Sequence, residues 1–357
     1  TADIHHGVPG RSDHILWALK RVRDYCIQHD IKYWINLGDL THDRESLNIM
    51  ELCQLAEFLD ETQAKHGIEM IAFPGNHDMF LRNSWKINSL EPLRKFIKCY
   101  SKVTSITLGG VRFWILPFVH YESSYMQMVA KIETVYRPGD VLLTHIGVKN
   151  ASLSTCFLLK SWSVVNFTES KFDRIYVGHF HSHQKVGDNL WYPGSIIPFK
   201  FDEGDVDHGF FVFDTEKRTH EFISIWDGAD KSLPTVPPQF MTIDESILDK
   251  VTQDDVTGSL VRIALQKEHT FNQIQDIRQQ ILALGARDVR WIPVASKEEK
   301  TAIAATKETI ASASTLFEKH VANDKDNLKE LSVEKLMEYN KIVVSEGDRR
   351  YDFTEME

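Results

Sequence analysis

The stretch Ile68-Glu69-Met70-Ile71-Ala72-Phe73-Pro74-Gly75-Asn76-His77-Asp78 decides how this chain is read. Its first half is a short apolar run with strand-forming residues, and Pro74-Gly75 stops it. Directly after the stop comes a cluster of oxygen and nitrogen donors. The same design recurs elsewhere. Asp3-Ile4-His5 opens the chain, and Tyr33-Trp34-Ile35-Asn36-Leu37 runs into Gly38-Asp39. Val141 to Thr144 runs into His145, and Ile175-Tyr176-Val177 runs into Gly178-His179-Phe180-His181. Ligand sites of α/β sheets lie beyond the C-terminal ends of strands. Side chains two apart on a strand point the same way. Asp3 and His5 are therefore expected on one side, as are His179 and His181 if that strand end stays extended.

Working outward, helical and extended patterns alternate from residue 10 to about residue 225. Ile15, Leu19, Val22 and Cys26 have helical spacing, with Ser12 placed to cap that helix. Residues 47–59 return to helical spacing. Strands alternating with helices predict a layered α/β domain. From about residue 189 the pattern is strand-only, which predicts a second sheet closing the same domain. A polar stretch containing proline, residues 233–238, reads as a linker. Beyond it, residues 259–265 and 288–293 read as strands and residues 271–284 as a helix, giving a small α+β unit. Residues 297–314 are rich in Ala, Lys, Glu, Thr and Ser, and read as a solvated helix or a flexible connector. A last amphipathic helix is predicted near Leu336 and Met337.

Bulk composition narrows the class. A chain of 357 residues suggests two or three domains. Hydrophobic content of 42% and charged content of 26% are those of a globular protein. No apolar run reaches the roughly 18 residues that span a bilayer, so no membrane segment is expected. No secretory signal is visible, and the location is expected to be cytoplasmic. Almost nothing precedes the strand expected to carry Asp3, so a few leading residues are expected to be missing. Cys26, Cys53, Cys99 and Cys156 lie far apart and read as reduced structural thiols. The net charge of -10 argues against a generic nucleic-acid coat but leaves a DNA enzyme open, because bound cations restore part of the charge.

Sixteen histidines require an explanation, and the strand-end clusters supply one. Asp3, His5, Asp39, Asn76, His145, His179 and His181 make seven candidate ligands of oxygen and nitrogen type. Two ions roughly 3.5–4 Å apart need a bridging oxygen, and Asp39 is the choice because Asp3 is already paired with His5. Imidazole and carboxylate donors without thiolate suit manganese, iron or zinc, with magnesium less natural. Such a pair of ions activates a water for attack on phosphorus. His77 follows the ligand Asn76 and is free to act as an acid or a transition-state stabiliser, with Asp78 placed to orient its ring. His42, three residues after Asp39, is a further candidate for the cleft. His6 and His183 adjoin ligands and either support them or are ordinary structural residues. His14, His29, His66, His208, His220, His269 and His320 read as surface or structural.

These segments resemble the calcineurin-like metallophosphoesterase superfamily over roughly residues 1–225. Within it, Asp39-Leu40-Thr41-His42, Tyr176-Val177-Gly178-His179-Phe180-His181, Tyr192-Pro193-Gly194-Ser195 and His208-Gly209-Phe210-Phe211-Val212-Phe213-Asp214 resemble the SbcD-type nuclease of DNA double-strand-break repair. The resemblance implies a layered β-sandwich flanked by helices over residues 1–232, a small α+β capping domain over 239–296, a linker over 297–325 and a C-terminal helical segment over 326–357. It implies one ion on Asp3, His5, Asp39 and His181, and another on Asp39, Asn76, His145 and His179. It makes His77 the catalytic histidine, assisted by His42. It further implies a manganese-dependent exo- and endonuclease that works as a dimer with an SbcC-type coiled-coil ATPase, bound through about Leu328 to Ile342.

Other readings stay open. A phosphoprotein phosphatase or small-molecule phosphodiesterase of the same superfamily shares the metal set. An inactive scaffold would have lost ligands, and none of the seven is lost. The alternative for the tail helix is that it docks on its own capping domain. Arg82, Lys86 and Lys149, candidates to track a DNA backbone, are scattered and read as solvated charges. Apolar faces within residues 15–26 and 47–59 would serve a homodimer or an ordinary core alike.

Overall fold

The structure is a computed structural model and describes residues 1–81, 83–154, 157–158, 164–165, 167, 170–204 and 206–292. Arg82, Cys156, His320, the 297–325 connector and the segment from Leu328 to Ile342 lie outside the described residues.

Two sheets stack face to face. Tyr33–Asn36, Glu69–Ala72 and Lys98–Cys99 form a parallel sheet of three strands. The second sheet has six strands, in the order Gln184–Val186, Leu190–Tyr192, Arg174–Gly178, Val141–His145, Val111–Leu116 and Thr104–Leu108. Its centre is parallel and its two outer pairings are antiparallel. Every residue of Val141–His145 is buried, as expected for a central strand covered on both faces.

Alternation along the strands builds three cores. Ile71 and Phe73 face Phe113, Ile115, Leu143 and Tyr176 between the sheets. Met70 and Ala72 point the other way, toward Ile15, Leu19, Val22, Leu55 and Leu59 of the helices Ser12–Gln28 and Ile49–His66. On the far side, Leu142, Ile175 and Val177 meet Tyr125, Met128 and Ile132 of the helix Glu122–Thr134. The layers run helix, sheet, sheet, helix, which is the mixed α/β sandwich predicted. Each fully buried Leu or Ile stabilises this stack by about 2 kcal/mol relative to exposure.

Local expectations are adjusted in three places. Ser12 is the first helical residue rather than the cap, and its hydroxyl donates to Glu51 at 2.8 Å, joining the two neighbouring helices. The second helix starts at Ile49, where the Asn48 side chain accepts from the Met50 and Glu51 amides. The strand Leu190–Tyr192, read as part of a separate closing sheet, pairs with Arg174–Gly178 in the six-stranded sheet. Of the strands read into that closing sheet, Gly209–Asp214 and Thr219–Ser224 form a separate hairpin.

Residues 240–292 hold a parallel sheet of Phe240–Asp244, Leu260–Ala264 and Asp288–Ile292, with the helix Phe271–Ala283 packed on it. Residues 233–238, read as a linker, are pinned on both sides. The Arg287 guanidinium donates to the Lys231, Leu233 and Val236 carbonyls, and Pro234 O lies 3.1 Å from His14 Nε2. No helix among the described residues is long and apolar enough to cross a membrane. Cys26, Cys53 and Cys99 are free thiols, buried, exposed and half-buried respectively.

Candidate metal centre

The register of the central strands sets the site. Gly178 pairs with His145, so both end at the same level. Asp3, whose amide donates to the Gly38 carbonyl, and Asp39 arrive from the other sheet. The convergence is not the simple alternation expected of an extended strand. Asp3, His5 and Asp39 have φ of 49, 50 and 52°, and His179 has 110°. The chain turns through left-handed conformations at these residues, and the turns aim the side chains.

Seven side chains predicted as ligands are brought together. His5 Nε2 lies 3.1 Å from His181 Nε2 and 3.8 Å from Asp39 Oδ2. Asp39 Oδ2 is 3.3 Å from His145 Nε2. Asn76 Oδ1 is 3.1 Å from His145 Nε2 and 2.7 Å from His179 Nδ1. Asp3 accepts the His179 amide on both oxygens at 3.0 Å. Asp39 Oδ2 lies between His5 on one side and His145 on the other, which suits the bridging role.

The donor chemistry fits divalent ions. His145 Nδ1 donates to the Leu37 carbonyl at 2.7 Å, and His181 Nδ1 donates to Glu203 at 2.9 Å. Each ring is therefore turned with Nε2 inward, and its neutral form carries the lone pair there. For His181 that lone pair faces another ring nitrogen at 3.1 Å. The His5 Nδ1, also buried, has no hydrogen-bond partner. Asp3, His5 and His181, and separately Asp3, Asp39 and His145, hold their ligand atoms within 4.8 Å of one another. Gly75 is part of the cradle: a Cβ there would lie 2.2 Å from Asp39 Oδ1.

Electrostatics follow from burial and facing charges. Burial alone would raise Asp39, but His145, His5 and His77 outweigh it and hold the carboxyl far below the usual range. Burial would lower His145, and the facing Asp39 reverses this and lifts it to about 9. Burial and then His145 push His179 down to about 3. Burial likewise depresses His5 and raises Asp3.

His77 sits beside this cluster. Its amide donates to Asp39 Oδ1 at 2.7 Å, and its Nδ1 donates to the His42 carbonyl at 2.7 Å. Its ring is edge-on to His5 and nearly parallel to His42, with centroids 4.8 and 5.6 Å apart. His42 and His77 line a groove of about 580 Å³ together with Arg44 and Phe80.

Asp78 does not orient the His77 ring. Its fully buried carboxylate accepts from the amides of Thr41, Gly75 and Leu40, at 3.0, 3.0 and 3.3 Å. It also accepts from the Thr41 and Ser89 hydroxyls. It ties the loop after Asp39 to the loop before Asn76, and the His42 carbonyl takes the ring-orienting role instead. His6 bonds the Glu51 carbonyl, and His183 stacks on Phe222 at 3.9 Å. His208 is fully buried between Ser195 and the Glu203 carbonyl. Lys86 and Lys149 are exposed.

Glu203 was not anticipated. It is buried, yet in the sequence Phe201-Asp202-Glu203-Gly204 reads as a polar turn. Phe118 and Phe199 were missed for a similar reason. Phe118 lies against His179 and Phe199 lies edge-on to His5 and His181, but nothing in their local pattern separates them from core residues.

Residues 1–183 match the calcineurin-like phosphoesterase family, whose members use divalent metal ions. The chain is also similar to phosphoesterase 078R of Invertebrate iridescent virus 3, with 21% identity over 219 residues. That alignment covers 58% of this chain and 58% of the viral protein, so the chain spans little more than half of that relative's length.

Proposed function

The chain belongs to the calcineurin-like phosphoesterase family, and from that premise we propose that it is a two-metal DNA nuclease of the SbcD type. The observation that carries this reading is His42. The histidine that extends the Asp39-Leu40-Thr41 segment lies parallel to His77 and shares its groove. Exposed Phe80 in the same groove offers a ring on which a base stacks.

In this reading Asp3, His5, Asp39 and His181 hold one ion, and Asp39, Asn76, His145 and His179 hold the other. Nitrogen-rich donors favour manganese over magnesium. The ions, when bound, activate a water and neutralise the phosphoryl oxygens. The chain's own residues supply the rest. The His42 carbonyl fixes the His77 proton at Nδ1, so the proton exchanged with substrate moves at Nε2. A protonated Nε2 then meets the leaving oxygen as it gains charge. Arg44 on the groove wall pairs with a flanking phosphate. A homodimer joined to an SbcC-type ATPase through Leu328 to Ile342 belongs to the same proposal.

A phosphoprotein phosphatase or small-molecule phosphodiesterase with the same metal set is the competing reading. Incubation with manganese and linear duplex DNA, in parallel with a phosphomonoester, separates them. Cleavage of DNA is expected; activity on the monoester alone would sink the nuclease reading. Co-purification with a coiled-coil ATPase tests the partner.

A further inference from the structure

We propose that Glu203 is a positioning residue for the metal centre, and that its turn links the centre mechanically to the unit of residues 240–292. The proposal rests on the metal-centre assignment and does not depend on DNA as substrate.

Glu203 belongs to the one-turn segment Phe201–Glu203. Its carboxylate is 1% exposed and accepts two hydrogen bonds, with the Lys200 ammonium 3.7 Å from Oε1. Oε1 accepts from His181 Nδ1 at 2.9 Å, and Oε2 accepts from the Phe199 amide at 2.8 Å. Its own carbonyl lies 3.0 Å from His208 Nε2. The bond to Oε1 does two things for His181. It selects the tautomer with Nε2 bare, and it fixes the ring plane in which that lone pair points.

The residues flanking Glu203 face the other way. The Phe201 ring is edge-on to Phe240 at 5.0 Å and lies beneath the Arg262 guanidinium at 4.9 Å. Asp202 pairs with Arg262 at 3.6 Å. Gly204 approaches Phe240 so closely that a Cβ would lie 1.8 Å from its carbonyl oxygen. Residues 201, 202 and 204 thus hold the C-terminal unit, while residue 203 holds a metal-ligand ring. A shift of the strand Phe240–Asp244 displaces the turn and, through it, His181.

The test is titration of the metal-stripped full chain with manganese, and with cobalt for its absorption spectrum, without substrate. Glu203→Ala is expected to weaken one of two ions by ~10–100-fold and leave the other within about twofold. Glu203→Gln keeps one acceptor oxygen for His181 and is expected to recover most of that affinity. Phe201→Ala, which leaves Glu203 in place, is expected to weaken the same ion by a smaller factor. Equal weakening of both ions by Glu203→Ala, failure of Glu203→Gln to rescue, or a Phe201→Ala titration identical to wild type overturns the proposal. A wild-type chain that binds no ion overturns it together with the metal assignment. A metal-binding chain that leaves DNA intact overturns only the nuclease reading.

Discussion

Replacing Asp78 by alanine separates two accounts of one carboxylate. If it orients His77, its loss slows hydrolysis and leaves the fold alone. If it joins loops, its loss is first a stability defect. The structure supports the second account and sets the size. Removal strands the amides of Thr41, Gly75 and Leu40, all held within 3.3 Å of the carboxylate. A buried donor without a partner costs about 1–3 kcal/mol, so about 6 kcal/mol is lost at the middle of that range. Against this, burial and the nearby Asp39 raise the Asp78 pKa to about 6. An ionised carboxylate here is therefore itself unfavourable at pH 7, by roughly 3 kcal/mol. The net loss is about 3 kcal/mol. For a domain of this size that lowers Tm by about 6–12 °C. The sign with pH is definite. The penalty for a raised carboxyl is full above its folded pKa and is relieved as pH falls toward the unfolded value. The gap between wild type and variant therefore widens by about 1 kcal/mol from pH 7 to pH 5. Calorimetry of the chelated proteins at both pH values checks this. A Tm within about 1 °C of wild type, with turnover sharply reduced, would refute the loop-tying argument.

His77→Ala is expected to reduce kcat by ~100- to 10,000-fold while both ions still bind, as read by manganese titration; full activity in the variant removes its assigned role. Gly75→Ala places a methyl group against Asp39 and should weaken metal binding by at least ~10-fold; wild-type affinity would show that the loop yields freely. Burial holds His5, His6, His14, His42, His179, His183, His208 and His220 below the usual histidine pKa, whereas His145 and His181 are raised. The unfolded chain then takes up more protons below pH ~6.5 than the folded one, so the chelated protein should lose Tm steadily from pH 7 to pH 5; a flat profile contradicts this.

The seven residues that the fold gathers into one cluster were legible in the sequence because metal chemistry restricts the residue types and strand ends restrict their places. Asp39 is the choice for the bridge because Asp3 is already paired with His5, and in the structure its carboxylate lies near both His5 and His145. Asp78 was misread because its partners are amides on separate loops, and an amide leaves no trace in residue identity. Glu203 escaped for a related reason. Its partner His181 lies 22 residues away, and the turn between Lys200 and Gly204 carries no periodicity. The helices around Ile15 and Leu55 were legible from apolar spacing, yet the Ser12 cap was not, since Glu51 competes for its hydroxyl. Likewise, the short strand Leu190–Tyr192 shows no preference for either sheet until its parallel neighbour is known.

The left-handed backbone at Asp3, His5, Asp39 and His179 bears on how such a site would decay. Each of these residues stores about 1 kcal/mol or more of conformational cost that a glycine would not. While hydrolysis is under selection, that cost is tolerated. In a lineage freed from the reaction, glycine at His5 or His179 relieves that cost without stranding a backbone donor, whereas glycine at Asp3 or Asp39 leaves the His179 or His77 amide without its carboxylate. Drift would then erase these imidazole ligands before the carboxylates.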